Sequence, residues 1–222
     1  MAIIDLGAVR AAAIILASAS PRRVDILNNV LGLQARVVPS TFEENLDKTA
    51  MPAHEYVQRT AHGKALEVYE RLVRAGEAPP RLVIGADTVV VADGCVLEKP
   101  ADAAGAAAML SSLSGRSHQV CTGVSFIYGP QIAPPTGTAA GVPEPLPHEH
   151  SFVEVTTVDF CDLSSEAIER YIASGEPMDK AGSYGIQGLG GTFVTGIRGC
   201  YHNVVGFPMH RFCKEIDLER LR

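Results

Sequence analysis

The sequence of 222 residues has no tryptophan and no apolar run long enough to cross a membrane. The longest candidate near its start, residues 11–17, falls well short of the roughly 18 apolar residues that a spanning helix needs. No N-x-S/T glycosylation acceptor occurs either. We therefore expect no membrane partner and find no indication of secretion.

Cysteine is scarce, and its spacing argues against the usual frameworks. The five cysteines are odd in number, widely separated and without a C-x-x-C pair, so they indicate neither a disulfide scaffold nor a zinc site. We expect reduced thiols and a cytoplasmic location. The positions are Cys95, Cys121, Cys161, Cys200 and Cys213.

The N-terminal residues superficially resemble a signal peptide. Residues 11–17 could serve as its apolar segment, and Ser18-Ala19 could belong to its cleavage site. The leader nevertheless contains Asp5 and only one basic residue, Arg10. We therefore predict a buried strand here rather than a secretory leader.

The balance of charge argues against a polyanionic partner. Net charge is −6 and the isoelectric point is about 5.6, so we expect no nucleic acid partner. The apolar content of 46% and the mean hydropathy of +0.12 are those of a globular protein. Only five lysines occur, and Lys64, Lys99 and Lys180 lie with Arg22-Arg23 in the segments most like a site. This concentration of cations suits a small, highly charged anion.

Hydrophobic periodicity predicts a mixed α/β protein, and the length allows one domain or two lobes. Strands are expected at 14–16, 35–38, 82–92, 120–128, 152–160 and 193–197, and helices at 21–31, 53–74, 101–113, 164–173 and 207–218. Residues 129–150 are rich in proline and form an exposed excursion or connector between neighbouring strands.

Ser18 to Arg23 lie at a predicted strand-to-helix turn. The first turn of a helix presents unpaired N–H groups and a positive dipole end, which suit a phosphate. The hydroxyls and guanidinium groups of this segment could add charge-assisted hydrogen bonds. A helix cap followed by exposed arginines explains the segment equally well.

Asp87 interrupts the apolar run at 82–92. An unpaired carboxylate is costly to bury, so this residue needs a metal, a cation or a cleft. A structural aspartate that caps a loop is the alternative. Three other features are weak evidence for a site when taken alone. Glu98-Lys99-Pro100 is a sequence common at helix starts, and Glu43-Glu44 is typical of a solvated acidic pair. Lys64 is typical of a lysine whose charged end extends past the apolar stripe of a helix.

Residues 175–188 combine glycine with polar side chains at a density that no core helix or strand would have. We predict an ordered binding loop in which Gln187 could read the edge of a base, since an amide both donates and accepts. A glycine-rich surface loop is the alternative. No P-loop, H-E-x-x-H or G-x-S-x-G motif is present. His148-Glu149-His150 lies too close to the excursion to indicate a metal site.

Taken together, these segments are similar to the Maf family of nucleotide pyrophosphatases, from about residue 14 to residue 214. The resemblance rests on Leu16-Ala-Ser-Ala-Ser-Pro-Arg-Arg23, Gly85-Ala-Asp-Thr88, Glu98-Lys-Pro100, Ser114-Gly115 to Thr122-Gly123, Asp179-Lys-Ala-Gly-Ser-Tyr-Gly-Ile-Gln187 and Asn203-Val-Val-Gly-Phe-Pro208. The Maf domain of animal proteins fused to a methyltransferase-like partner also looks similar.

The resemblance implies an α/β fold of the inosine-triphosphatase kind: an elongated mixed sheet with flanking helices and a deep cleft. It further implies a single domain over 1–222, a homodimer, and a hydrolase that splits a nucleoside triphosphate into monophosphate and pyrophosphate with Mg²⁺ or Mn²⁺. Arg22, Thr88 and Gln187 match the branch that acts on dTTP and UTP.

The resemblance also assigns roles to the site residues. Asp87 would activate water and touch the metal, and Glu44 would be a metal ligand or lie just behind the ligands. Ser18, Arg22, Arg23, Lys64 and Lys99 would hold the phosphates. Two alternatives remain at this point: a housecleaning enzyme for modified nucleotides, and a nucleotide-binding regulator of cell division with little turnover.

Overall fold

The computed structural model describes residues 6–130 and 147–221. Within these ranges the chain forms one mixed seven-stranded sheet. The strands are β1 (Ile14–Leu16), β2 (Arg36–Val37), β3 (Leu82–Ala92), β4 (Cys95–Leu97), β5 (Ser117–Tyr128), β6 (His148–Phe160) and β7 (Val194–Arg198). Their order is β2-β1-β3-β5-β6-β7, with β4 paired to β3. β1 is parallel to β2 and β3, whereas all other pairs are antiparallel.

Eight α-helices flank this sheet within the two described ranges. They are α1 (Leu6–Ala11), α2 (Pro21–Val24), α3 (Ala53–Arg74), α4 (Ala103–Leu113), α5 (Ser165–Ala173), α6 (Tyr201–Val205), α7 (Met209–Glu215) and α8 (Leu218–Leu221). A π-helical segment, Asp25–Val30, continues α2, and 3₁₀ turns form at Glu176–Asp179, Ala181–Ser183 and Leu189–Phe193. In the part of the chain that the structure describes, no helix is both long and apolar enough to cross a bilayer.

The predicted mixed α/β class is confirmed, and β1, α3 and β3 have the predicted bounds. β5 and β6 are longer than predicted because they pair with each other without a break, from Ser117 opposite Asp159 to Tyr128 opposite His148. Residues 148–150 therefore belong to β6 and not to the predicted excursion. Its residues 131–146 lie outside the described part of the chain.

Two predicted helices were wrong as single elements. The helix predicted over 21–31 changes to π-helical hydrogen bonding after Val24, with Leu31 N–H bonded to Ile26 C=O, and ends before Gly32 at a φ of +66°. The helix predicted over 207–218 breaks into α7 and α8. There Ile216 is buried in extended conformation, and the Asp217 N–H donates to the Tyr128 hydroxyl at 2.8 Å.

An unpaired stretch on one edge of β3 creates the opening for a cleft. β1 pairs with residues 82–84 of β3, and β4 pairs with residues 90–92. Neither strand pairs with residues 85–89 between them. Asp87 and Thr88 lie in this interval, directly beside the turn that follows β1.

Helix α3 covers the β3–β5 region of one face and lies unusually close to it. A Cβ on Gly85 would lie 2.1 Å from the Ala61 carbonyl oxygen, and one on Gly123 would lie 2.4 Å from that of Val57. Neither distance is sterically possible, so both sheet positions need glycine. The close approach brings Lys64 of α3 within hydrogen-bonding distance of β3. The single-domain, two-lobed organisation stays a prediction.

Candidate active site

A cleft of about 1000 Å³ opens at the unpaired stretch of β3. The turn after β1, the residues after β4 and the loop after α5 form its walls. The nine residues that the family resemblance marks as site residues all line this one cleft: Ser18, Arg22, Arg23, Glu44, Lys64, Asp87, Thr88, Lys99 and Gln187. The structure thus brings together residues as far apart in the sequence as Ser18 and Gln187.

Lys64 joins two carboxylates at the floor of the cleft. Its Nζ lies 2.8 Å from Asp87 Oδ1 and 2.8 Å from Glu44 Oε2. The side chains of Lys64 and Asp87 are each only 12% exposed, whereas that of Glu44 is 49% exposed. The sequence suggested that Lys64 reaches past an apolar stripe into solvent. Instead, its ammonium group neutralises a buried carboxylate, which would otherwise be costly to desolvate.

Arg23 is held by three partners on the opposite face of β3. Its Nη1 donates to Ser18 Oγ at 3.1 Å, its Nη2 to Thr88 Oγ1 at 3.0 Å, and its Nε to the Gly206 carbonyl at 2.9 Å. Burial lowers the pKa of Arg23, and the negative charge of Asp87 opposes that effect. Two of its five N–H groups remain for a ligand.

Thr88 is tied to the protein by its hydroxyl. Besides accepting from Arg23, its Oγ1 lies 3.0 Å from Thr122 Oγ1, directly across the β3–β5 ladder. Thr122 is fully buried. Thr88, which was predicted to set specificity, therefore contacts Arg23, and Arg23 lines the cleft. Through this contact Thr88 positions the guanidinium group.

Arg22 connects the two walls of the cleft. Its Nη1 lies 3.1 Å from Asp179 Oδ2 in the loop after α5, and Lys180 Nζ lies 2.6 Å from Asp179 Oδ1. Lys180 also donates to the Glu176 carbonyl at 2.6 Å. Arg22 is thus already paired with a carboxylate that a phosphate could replace.

Lys99 is exposed and lines the cleft, and no hydrogen-bond partner for it is found among residues 6–130 and 147–221. Its neighbour Glu98 also lines the cleft and contacts Lys48 and Tyr56, with 2.7 Å from Tyr56 Oη to Glu98 Oε1. Burial raises the pKa of Glu98, but the bonds from Lys48 and Tyr56 outweigh it and lower that pKa overall. Sequence reasoning missed both contact residues.

The loop after α5 folds into short helical turns, and its role as a binding loop stays a prediction. Three 3₁₀ turns shape it, and Ser183 adopts a φ of +61°, unusual for a residue with a side chain. Glu176 and Tyr171, which sequence reasoning did not select, form hydrogen bonds to its backbone. Only the high density of glycine between 182 and 191 hinted that side chains approach the backbone so closely.

Glu149 and His150, beside the excursion, form side-chain hydrogen bonds and not a metal centre. His62 Nε2 lies 2.7 Å from Glu149 Oε2, and His150 Nε2 lies 2.8 Å from Glu215 Oε2. Across the described ranges, no group of three or more histidine, cysteine, aspartate or glutamate side chains could hold a metal ion. A metal in the cleft would therefore depend on Glu44 and Asp87 together with oxygen atoms of a ligand.

Comparison with known proteins gives one consistent result. A family model described as "Maf: Maf-like protein" matches residues 13–218. A Homo sapiens protein named "Probable bifunctional dTTP/UTP pyrophosphatase/methyltransferase protein" is 47% identical over 204 residues, which cover 91% of this chain and 31% of that protein. This chain spans about a third of the length of that human relative.

Two bacterial relatives match over nearly their whole length. A Clostridium perfringens protein named "dTTP/UTP pyrophosphatase" is 44% identical over 206 residues, covering 92% of this chain and 95% of that protein. A Vibrio cholerae protein with the same name is 48% identical over 197 residues, covering 89% of this chain and 92% of that protein.

Proposed function

This chain belongs to the family of Maf-like proteins, and we propose that it hydrolyses dTTP and UTP to the monophosphate and pyrophosphate. The relatives named dTTP/UTP pyrophosphatase support the reaction and the substrates. The observation that carries the proposal is the contact of Asp87 and Glu44 with the single ammonium group of Lys64, in a cleft with two arginines on its wall.

The cations that line the cleft support a triphosphate as the ligand. A nucleoside triphosphate carries about four negative charges, and more charge develops on pyrophosphate as it departs, so fixed positive groups stabilise the transition state. We assign Arg22, Arg23 and Lys99 to the phosphates, with Lys64 and Ser18 beside them. Lys99 is the most available, since it has no protein partner to give up among the described residues.

Asp87 is the group we assign to water activation. It is largely buried at the floor of the cleft, and the hydrogen bond from Lys64 goes to Oδ1. Oδ2 is left to accept a proton from the attacking water, as general-base catalysis requires. The water oxygen then forms a bond to phosphorus, the anhydride bond between the α- and β-phosphates breaks, and pyrophosphate leaves with the bonding electrons.

The donor set suits Mg²⁺ or Mn²⁺ brought in with the nucleotide. Mg²⁺ is usually bound by one or two carboxylates together with substrate phosphates, and Glu44 and Asp87 supply two carboxylates at one point. When bound, the metal would neutralise charge on the phosphates. Lys64, which contacts both carboxylates, would keep them close together before the metal arrives.

Base selection is assigned to Gln187, with Arg22 and Thr88 acting nearer the phosphates. Gln187 is exposed on the cleft wall, and its amide can both donate to and accept from the edge of uracil or thymine. The Thr88 hydroxyl is occupied by Arg23 and Thr122, so we assign it a role in orienting Arg23. Homodimer formation and a cytoplasmic location stay predictions.

The decisive experiment measures pyrophosphate release with Mg²⁺ from dTTP, UTP, CTP, GTP, 7-methyl-GTP and ITP. Asp87→Asn is the test variant, because it keeps the shape and removes the base. Asp93→Asn is the matched control, since Asp93 lies in the exposed β3–β4 turn at a φ of +48° that asparagine tolerates.

We expect release from dTTP and UTP by the wild type and the control, and its loss in Asp87→Asn with folding unchanged. Turnover of a purine alone would keep the enzyme but overturn the base assignment. Nucleotide binding without any turnover would replace this proposal with the regulator. Faster turnover of modified pyrimidine nucleotides, added as a second panel, would favour the housecleaning enzyme.

A further inference from the structure

Gln187 projects from a backbone segment, residues 185–190, whose two ends are held by side chains from outside it. In the described part of the chain, no hydrogen bond fixes the Gln187 side chain itself. Its position in the cleft therefore follows from the position of this backbone segment. The contacts that fix the segment decide where the amide can meet a ligand.

Glu176 holds the far end of the segment. Its Oε2 accepts from the Leu189 N–H at 2.9 Å, and its Oε1 accepts from the Gly190 N–H at 3.2 Å. Burial raises the pKa of Glu176, but these two amides, the Tyr171 hydroxyl and the charge of Lys180 together lower the pKa overall. Glu176 is therefore a charged acceptor at neutral pH, and hydrogen bonds to a charged group are stronger than those between neutral groups.

Tyr171 holds the near end and joins it to Glu176. Its hydroxyl accepts from the Gly185 N–H at 3.1 Å and donates to Glu176 Oε1 at 2.9 Å. The ring is buried and packs edge-on against Phe193 at 5.0 Å. Burial and the Glu176 carboxylate raise the pKa of Tyr171, which keeps the hydroxyl protonated as the donor. We call this pair the Tyr171–Glu176 clamp.

The glycines of the segment fit the clamp sterically. A Cβ on Gly188 would lie 2.4 Å from Glu176 Oε2, and one on Gly190 would lie 2.6 Å from the Tyr171 hydroxyl oxygen. Side chains at either position would force the clamp open. The glycine-rich sequence is thus explained by contact with two polar side chains rather than by a need for flexibility.

We infer that the Tyr171–Glu176 clamp is the positioning device for Gln187, and so sets the preference for a pyrimidine base. This inference rests on the proposed function, because it concerns selection at the same cleft. Neither residue is assigned contact with the reacting atoms. Both act through the backbone of residues 185–190.

The test compares Glu176→Gln and Tyr171→Phe with the wild type. In Glu176→Gln, one acceptor oxygen becomes an NH₂ group that faces an N–H donor, so one end of the segment is released. In Tyr171→Phe, the ring keeps its packing and only the hydroxyl is lost. Glu166→Gln is the control for charge, because Glu166 is 83% exposed on the neighbouring helix α5.

We expect KM for UTP to rise by about ten-fold in each clamp variant, the order of one charge-assisted hydrogen bond. The kcat for UTP should change far less, because the reacting atoms are untouched. The ratio of kcat/KM for UTP over GTP should fall toward one. Since both residues act on one segment, the double variant should be little worse than either single variant.

Amide hydrogen exchange at Gly185, Leu189 and Gly190 gives a second measurement that needs no turnover. Faster exchange at these amides in the clamp variants, with the core unchanged, supports the clamp. Unchanged exchange in the clamp variants overturns the inference, and so does faster exchange with unchanged base selectivity. In both cases the proposed function still stands if the wild type hydrolyses dTTP and UTP. If the wild type splits no nucleotide, the proposed function fails, and the selectivity role fails with it.

Discussion

Asp87 and Thr88 are consecutive residues of β3, and their side chains leave the sheet on opposite faces. Asp87 contacts Lys64 of α3, whereas Thr88 contacts Arg23 and Thr122 on the other side. Alternation along a strand makes this separation unavoidable. One short strand segment therefore serves two groups at once: the carboxylate assigned to chemistry and the arginine assigned to phosphate.

Replacing Thr88 with valine tests that division of roles. Thr88→Val keeps the shape but removes the acceptor for Arg23 and the partner of Thr122. We expect KM for dTTP to rise roughly five-fold, the value of about 1 kcal/mol for one hydrogen bond, with a smaller change in kcat. Thr88→Ser should restore the wild-type KM. A rise in KM that serine does not reverse would contradict the role of the hydroxyl.

Lys64 should be needed for activity because its ammonium group contacts both carboxylates of the cleft. Lys64→Met leaves the largely buried Asp87 and the half-exposed Glu44 without their shared cation. We expect kcat/KM to fall by about a hundred-fold or more, the order found when one preorganised charge is removed from a site. Steady-state kinetics with dTTP measure the fall in kcat/KM, and a thermal melt measures the change in melting temperature. Lys64→Arg, which keeps the charge, should retain the melting temperature better than Lys64→Met.

The Lys64 contact shows what sequence could and could not predict. The helix and the strand that carry Lys64 and Asp87 were predicted residue for residue, because one has a long apolar stripe and the other a long apolar run. Their contact depends on the close approach that Gly85 and Gly123 permit. No local pattern contains that approach, so Lys64 alone looked like an ordinary surface lysine.

The prediction of a single C-terminal helix was wrong for a similar reason. An apolar pattern from 207 to 218 favoured one helix, but burial of Ile216 and the bond from Asp217 to Tyr128 break it. Tyr128 lies 89 residues earlier in the chain. Likewise, the motif around Gln187 identified a loop, but Tyr171 was hidden in the apolar pattern of the preceding helix.

Gly123→Ala tests the packing that brings α3 to the sheet. The added Cβ would lie 2.4 Å from the Val57 carbonyl oxygen, so the helix must move or the strand must distort. We expect a loss of about 2 kcal/mol or more in the free energy of unfolding, as overpacking of a tight core does. Urea denaturation measures it. Gly94→Ala is a comparison for a glycine with open space around it, although its φ of +77° adds strain of its own. A smaller loss in Gly123→Ala than in Gly94→Ala would contradict the close approach.

Asp179 should compete with the nucleotide for Arg22. The pair is 3.1 Å apart, and the Asp179 side chain is 58% exposed, so the ion pair adds little to stability. Asp179→Asn should therefore lower KM for UTP by about two- to three-fold while the melting temperature barely changes, because one negative charge leaves the phosphate wall. The gain should shrink at high salt, where exposed charges are screened. A higher KM in this variant would mean that Asp179 helps to hold the ligand.

His118 should make the fold sensitive to mild acid. It is 3% exposed, and its Nε2 lies 2.8 Å from the hydroxyl of Tyr184, a residue of the cleft wall. Burial lowers the pKa of His118 from 6.5 to about 4, and Asp159 only partly opposes this. Between pH 6.5 and about 4, His118 is therefore protonated in the unfolded chain but neutral in the folded protein. The free energy of unfolding therefore falls as pH drops through 6.5, by about 2 kcal/mol near pH 5.

Urea denaturation at several pH values between 7 and 4.5 measures that slope in the wild type and in His118→Gln. Glutamine keeps a polar partner for Tyr184 but does not titrate, so the variant should be less stable at pH 7 and lose less stability on acidification. Parallel slopes in the two proteins would assign the acid sensitivity to another group.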